Sequence, residues 1–592
     1  MTSFSSPPPS YPPLLDTLII GAGPCGLAVA ARLREHTPSA LFTDEEHQRY
    51  HWINKHRGKM NIVRARGGKL RGVSYRRRRG SGSSVSDSGW SSLFSSSSSS
   101  SSSSVSGERE GAVESAKEEE EEEEENPSLL VLDSSGTKWL NRWHRAFQTL
   151  EIQQLRSPMF FHVDPGDRDG MLAYTREMGR EGDLWEISGC VGKEISKHKR
   201  KKMMRGRKRR EQQTIGNTNI DERDRKDYFS PSTGLFADYC ESIASRYGLD
   251  TPGLIRDSEV VDIRYDFHVE LSPLDKIFTV VTRTGEAFYS RTVVVAVGPG
   301  GKKIYPFRLE GDEAQGACHS AEIRTFPSPN VKRKMQQRRE TNVVVVGGGL
   351  SSAQIADMAI RKGVSRVWFL LRSDFKVKHF DIDLNWMGKF KNYEKAAFWS
   401  ADTDEERMEM IKTARNGGSI TPRYQRILRE HAAHRRVSIH PRTVICSKEY
   451  CSVTQTWRLT TDPPIPDLPD IDYIYFATGM HMDVRELQFL ENMHRDYPVE
   501  TIQGLPCITD DLMWKPDVPL FLAGRLAALR LGPGAPNLEG ARLGAERIAW
   551  SMEEVLGKHK AEDAIGIDQS RECFCGLGNR YAQLAECSLQ HI

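Results

Sequence analysis

"NVVVVGGGLSSAQIADMAI", residues 342–360, is an apolar β-branched run, a glycine cluster and then apolar positions at helical spacing. That order predicts a buried strand, a tight turn and a helix N-terminus. The same layout occurs earlier, in "DTLIIGAGPCGLAVAARL", residues 16–33. A strand–glycine turn–helix unit presents free N–H groups and a partial positive charge, which suits a pyrophosphate. Two copies predict two dinucleotide cradles in one α/β chain built on parallel sheets.

In the first cradle the glycines are Gly21, Gly23 and Gly26. Their expected tasks are the tight turn, close approach of backbone to pyrophosphate, and close packing of helix on strand. "SALFTDEE" follows, read as the second strand, and places Asp44, with Glu45 as fallback, to accept ribose hydroxyls. An acid there repels a 2′-phosphate, so this cradle reads as the FAD site. In the second cradle Gly347, Gly348 and Gly349 form the turn, and Ser352 stands where the third glycine would be. Its next strand, "SRVWFLLRS", ends in Arg372 and Ser373 rather than in an acid. A guanidinium beside a hydroxyl suits a 2′-phosphate, so this site reads as NADPH. Lys376 and Lys378 are further cations nearby. Two cradles of opposite charge preference imply two nucleotides that exchange electrons.

The remaining chain bounds the setting. It has 592 residues, 38% hydrophobic and 28% charged, enough for two or more folded domains. A net charge of +3 gives no compositional pointer to nucleic acid. The ten cysteines are scattered without a CxxC pair, which fits reduced thiols and argues against a dithiol reductase. The start, "MTSFSSPPPSYPPLL", lacks the regions of a signal peptide, and no apolar run is long enough to span a bilayer, so a cytoplasmic protein is expected. The basic segment 193–210 fits nuclear import as well as a solvated loop. The tract of arginine, serine and glutamate over residues 76–127 cannot bury enough apolar surface to fold and reads as a disordered insertion.

The resulting domain map has a disordered tail at 1–15, a first FAD-domain part at 16–75 and the insertion at 76–127. A second FAD-domain part follows at 128–335 with a basic loop at 193–227, then an NADPH-binding domain at 336–470. A third FAD-domain part covers 471–560 and a tail 561–592. "YFSPSTGLFADYCESIASRYG" predicts a helix starting after Ser232 or Thr233, and "FTVVTRTGEAFYSRTVVVAVGPG" two strands about the turn "RTGE".

Two GxGxx cradles and the late strand "DYIYFATGM" resemble the class B flavin-dependent monooxygenases. Asp472, Phe476, Ala477, Thr478 and Gly479 match the D-x3-[LF]-A-T-G signature of the N-hydroxylating branch, which includes the lysine and ornithine monooxygenases. Met480 stands where that branch has tyrosine, and Arg485 where it has histidine or proline, so the amine substrate stays open. His319-Ser320 resembles the end of the fingerprint of Baeyer–Villiger enzymes, with poor spacing around it. The resemblance implies an NADPH domain inserted into a discontinuous FAD domain. It also implies FAD and NADPH as cofactors, dioxygen and a small organic nucleophile as partners, and a C4a-(hydro)peroxyflavin as oxygenating species. N- or S-hydroxylation fits better than ketone oxygenation.

Other contacts follow from the same resemblance. Gly524 is the glycine of a Gly-Asp pair that reaches the ribityl chain in related flavoproteins, and Arg525 stands in place of its aspartate. Asn537 and Leu538 open a helix aimed at the flavin, and Arg156 and Ser157 are polar flavin contacts near Trp139, Trp143 and His144. "FDIDLNWMGKFKNYEKAAFW" and "NGGSITPRYQRIL" are candidates to shape a pocket. No residue is singled out as catalytic and no metal site is read. A flavin oxidoreductase without oxygen transfer, or a silent nucleotide-binding regulator, are the alternatives. The oligomeric state is not legible.

Overall fold

The computed structural model describes residues 13–35, 128–166, 168–187, 189–190, 228–298, 301–387 and 391–563, with backbone only from 558 onward. Asp44, the tracts at 76–127 and 193–227, and both tails therefore lie outside the described residues. Two sheets organise the chain. The first contains β1 (Leu14–Ile20), β2 (Leu129–Asp133), β3 (Ile255–Asp257), β4 (Val260–His268), β5 (Ser272–Thr282) and β6 (Ala287–Val295). The second contains β7 (Ala317–His319), β8 (Asn342–Val346), β9 (Arg366–Leu371), β10 (Val437–Pro441) and β11 (Tyr473–Phe476). The chain then returns to the first sheet with β12 (Met513–Lys515) and β13 (Val518–Leu522).

The first sheet has the order β12-β13-β6-β1-β2-β3, with β5 joining β6 to β4. Its central strands β13, β6, β1, β2 and β3 are parallel, while β4, β5 and β6 form an antiparallel meander. The second sheet, β7-β11-β8-β9-β10, is parallel throughout. Leu18, Ile19, Val343, Val344 and Val345 are fully buried. Helices cover both faces of such strands, which is why they read as unbroken apolar runs. One domain is thus inserted in another, with β1 and β13, at opposite ends of the chain, in the same sheet.

The boundaries differ from those read in the sequence. Strands β7 and β11 lie beyond 336–470 on either side, yet both pair within the second sheet. The "FATG" strand therefore completes the inserted domain instead of opening the third FAD-domain part. On the side away from β6, β1 pairs with β2, which begins only at Leu129, so a long stretch of chain separates the helix and the second strand of the first βαβ unit.

Helix α1 (Pro24–Arg32) buries Ala28, Val29, Ala30 and Ala31. It packs on the long C-terminal helix, Leu538–Asp563, whose buried residues include Ala541, Ala545 and Ile548. Arg32 and Glu546 form a buried ion pair between these helices at 2.7 Å. The expected helix after Ser232 spans Thr233–Arg246, with the Ser232 hydroxyl accepting from the Leu235 N–H. The turn "RTGE" joins β5 to β6 as expected.

Two linkers cross between the domains and pair as a short ribbon, Lys302–Lys303 against Met480–His481. Phe380, Trp386, Phe398 and Ile411, all from the inserted segment, pack into the core of the FAD-type domain. No helix among the described residues is long and apolar enough to cross a membrane.

Candidate functional site

Both cradles sit at the C-terminal ends of parallel strands, where open α/β sheets bind ligands. Gly21 has φ +111°, and a Cβ there would lie 2.8 Å from the Ala296 carbonyl oxygen at the end of β6. Gly347 has φ +145° and is lodged in the same way under the Ala477 carbonyl at the end of β11. The two turns are thus built alike, each pressed on the residue where a linker between domains begins. Gly26 lies against the Gly21 carbonyl, which admits no side chain. Ser352 occupies the corresponding place in the second cradle, fully buried, its hydroxyl donating to the Gly349 carbonyl at 2.6 Å.

Gly23 and Gly349 differ from these. A Cβ at either would meet nothing within 4 Å, so the lip of each cradle is open. Each is also the N-cap of its helix, and no side chain caps the free N–H groups there. No acid lies in the first turn of either helix. Open backbone and unsatisfied donors fit the pyrophosphate of a dinucleotide.

The structure brings an unforeseen acid to the first cradle. Asp133, the last residue of β2, accepts from the Ala22 N–H at 2.7 Å and from the Ser135 N–H at 2.7 Å. The Ala22 carbonyl in turn accepts from the Leu140 N–H at 2.8 Å. Asp133 ends the strand that pairs with β1 on the side away from β6, and so braces the turn of the first cradle. The missed signal was "SLLVLD", residues 128–133, an apolar run ending in an acid directly after the low-complexity tract.

The predicted flavin contacts are placed unevenly. Gly524 is buried with φ +66°, and a Cβ there would lie 3.0 Å from the Cys25 sulfur, so the strand end after β13 meets the first turn of α1. Burial pushes the Cys25 thiol up to about 11, which keeps it an inert packing group. Asn537 donates to the Asp381 carboxylate at 3.1 Å, and Leu538 is buried at the start of the C-terminal helix. Arg415 donates to the same Asp381 at 2.7 Å and to the Pro533 carbonyl at 2.9 Å. These bonds close the inserted domain onto the loop that leads into that helix. Arg525 is exposed.

Arg156 is taken up by protein carbonyls. It donates to the carbonyls of His379 at 3.1 Å, Lys378 at 3.0 Å, Phe380 at 2.6 Å and Ser419 at 3.3 Å, and to the Ser419 hydroxyl at 2.9 Å. Burial lowers its guanidinium to about 10, with Arg415 adding to the effect and Asp381 opposing it. Arg156 therefore staples the FAD-type domain to the inserted one, an arrangement that sequence gave no means to foresee. The neighbouring Ser157 is half-buried and engages no partner among the described residues. Trp139 donates to the Leu249 carbonyl at 2.9 Å, and Trp143 stacks on Phe147 with ring centroids 3.8 Å apart, so both serve packing. The "NGGS" stretch lies against the second cradle: a Cβ on Gly418 would be 3.0 Å from the Gly349 nitrogen.

Thr478 donates to the Ile304 carbonyl, and the Gly479 carbonyl accepts from the Ile304 N–H at 3.2 Å and pairs with His319 Nε2 at 3.0 Å. These residues of the signature thus clamp the two linkers together. Asp472 is buried, ion-paired with Lys334, and accepts from the Asn342 N–H at 2.6 Å. It fixes the entry of β8, the strand that leads into the second cradle. Arg485 forms a bidentate pair with Asp483, and Met480 lies in the linker ribbon. Arg372 and Ser373 are exposed at the end of β9. No cluster of metal-ligating side chains is present among the described residues.

Comparison with known proteins agrees with this geometry. Residues 225–480 match the family described as L-lysine 6-monooxygenase/L-ornithine 5-monooxygenase. No curated protein matches the chain in sequence. Among solved structures, the chain is similar to an ornithine hydroxylase from Pseudomonas aeruginosa, with a TM-score of 0.52 and 15% identity, covering 92% of this chain and 100% of that one. It is similar to an ornithine N-hydroxylase from Kutzneria sp. 744, with a TM-score of 0.52 and 14% identity over 92% and 99% of the two chains. That enzyme was solved with reduced FAD, NADP+ and L-ornithine. A cadaverine monooxygenase from Erwinia amylovora, bound to FAD, gives a TM-score of 0.53 and 13% identity over 94% and 99%. At these identities the structural likeness establishes the fold. The paired cradles, the "FATG" strand and the match over residues 225–480 make the chain similar to the class B flavin-dependent monooxygenases. Within that class the matched family is the N-hydroxylating one.

Proposed function

We propose that the protein is an FAD-containing, NADPH-dependent monooxygenase that hydroxylates the nitrogen of a small primary amine. The balanced reaction is R–NH2 + O2 + NADPH + H+ → R–NHOH + H2O + NADP+. The observation that supports it best is the shared build of the two cradles. Gly21 under Ala296 and Gly347 under Ala477 put both open lips beside the paired linkers, so two nucleotides would meet across one interface. Once bound, the flavin supplies the reduction of dioxygen and the oxygen transfer.

The chain's own residues bind, orient and dry. The turns at Gly21–Gly23 and Gly347–Gly349 admit the pyrophosphates, and the uncapped helix N-termini donate to them. Asp133 holds the first turn in shape and is the acid for the adenosine ribose. Asp381, shared between Arg415 and Asn537, seals the domain interface beside the C-terminal helix. Excluding water there strengthens every charge interaction within. The reaction needs no acid–base pair from the protein, and none is assigned.

The test is turnover with L-ornithine, L-lysine and cadaverine as a first panel, measuring hydroxylamine formed per NADPH oxidised. Hydroxylamine in near-equal yield supports the reading. NADPH consumption that produces only hydrogen peroxide with every amine would make it a flavin oxidase.

A further inference from the structure

Strands β9 and β10 are parallel, with Leu371 opposite Pro441 in the register. The next residues, Arg372 and Arg442, therefore leave two adjacent strands at the same level. The Arg442 N–H donates to the Ser373 carbonyl at 3.3 Å, which ties the two strand ends together. Arg442 also donates through Nε to Asp374 at 2.6 Å. Both side chains of that pair face solvent, at 75% and 63% exposure, so neither is needed to fill a core. Arg372 is exposed and has no ion-pair partner among the described residues.

This edge follows the strand after the second glycine turn, where a dinucleotide's adenosine ribose lies. Asp374 is at first sight misplaced there. A free acid would repel a 2′-phosphate and accept the ribose hydroxyls of the unphosphorylated cofactor. The hydrogen bond and charge of Arg442 hold its carboxyl below the usual range, so it is occupied as a partner. The nearby lysines are committed elsewhere. Lys376 donates to the Asn416 carbonyl and side chain, both at 2.9 Å, and Lys378 to the Ala414 carbonyl at 3.0 Å and to Asp383 at 2.7 Å. Among the described residues, the arginines left exposed at this edge are Arg372 and Arg442.

We propose that Arg442 determines cofactor specificity: it neutralises Asp374 and joins Arg372 as the second guanidinium gripping the 2′-phosphate of NADPH. The inference rests on the NADPH reading of the second cradle. Its test separates the two. 2′,5′-ADP and 5′-AMP, which differ only in the 2′-phosphate, are titrated by calorimetry into the full-length, flavin-loaded protein. The wild type binds 2′,5′-ADP more tightly than 5′-AMP. Arg442→Ala weakens 2′,5′-ADP by about 10- to 100-fold, the range of a charge-assisted hydrogen bond. It leaves 5′-AMP unchanged or tighter, because Asp374 becomes free to accept ribose hydroxyls. Arg442→Ala combined with Asp374→Ala recovers part of the loss. A wild type without preference overturns the NADPH reading and this proposal with it. A preference that Arg372→Ala abolishes and Arg442→Ala leaves intact overturns the proposal alone. Equal weakening of both probes by Arg442→Ala also overturns it, since that marks a structural role.

Discussion

Replacing Asp472 with alanine should unfold the inserted domain before it harms any chemistry. Asp472 is the first residue of the D-x3-F-A-T-G stretch, and its side chain is 5% exposed against 9% for its partner Lys334. Its second oxygen accepts from the Asn342 N–H at 2.6 Å. Removing the carboxylate strands a buried ammonium and a backbone donor together. Breaking one side of such a pair costs about 3–5 kcal/mol. For a domain of this size that lowers the melting temperature by roughly 10 °C. Thermal melts followed by circular dichroism measure it, and flavin content should be unchanged because the first cradle lies in the other sheet. The pair Asp472→Leu with Lys334→Met should recover most of the loss, since apolar residues of similar volume replace buried ion pairs at little cost. A loss under about 1 kcal/mol for Asp472→Ala, or a double variant as unstable as the single, would refute the argument.

Three further outcomes follow from the same geometry. Gly23→Val should fold normally yet lose flavin, since its side chain enters only the open lip, whereas Gly26→Ala should destabilise the fold through the clash with the Gly21 carbonyl; melts and flavin absorbance separate the two. Asp133→Ala should lower both flavin retention and thermal stability, by about 1–3 kcal/mol for the donors left unsatisfied at the cradle turn, measured by flavin release on heating. Burial pushes the Glu322 carboxyl up, but bonds from Lys303, Tyr305 and the His319 N–H outweigh it and bring it down to about 2 from an ordinary 4.5. Its contribution to the linker region is therefore present above pH 4.5 and lost as pH falls towards 2, so the melting difference between wild type and Glu322→Gln should shrink across that window.

The cradles were legible because their chemistry is local. A β-branched run, a glycine turn and a helix start within 20 residues carry the strand–turn–helix fold, and the structure gives Gly21 and Gly347 the positive φ of tight turns and leaves open space at Gly23 and Gly349. The same locality hid Asp133. β2 begins only at Leu129, far beyond α1 in the chain, and only its pairing with β1 shows that Asp133 braces the first turn. Arg156 shows the opposite limit. Its partners lie more than 220 residues away in sequence, and all but the Ser419 hydroxyl are carbonyls, which any residue type supplies. The extent of the inserted domain was misread for a related reason. β7 and β11 are short apolar strands whose sheet membership is set by pairing partners and not by their own composition. The shared Asp381 of Arg415 and Asn537 likewise exists only once the chain has folded.

The central claim is that two nucleotides of different kind meet across one interface. It is tested most directly by the visible spectrum of the purified full-length protein under anaerobic titration with NADPH and, separately, NADH. The account predicts bound flavin whose bands are bleached by NADPH at lower concentration and faster than by NADH, with colour restored when air is admitted. Bound flavin that NADPH cannot bleach would contradict it.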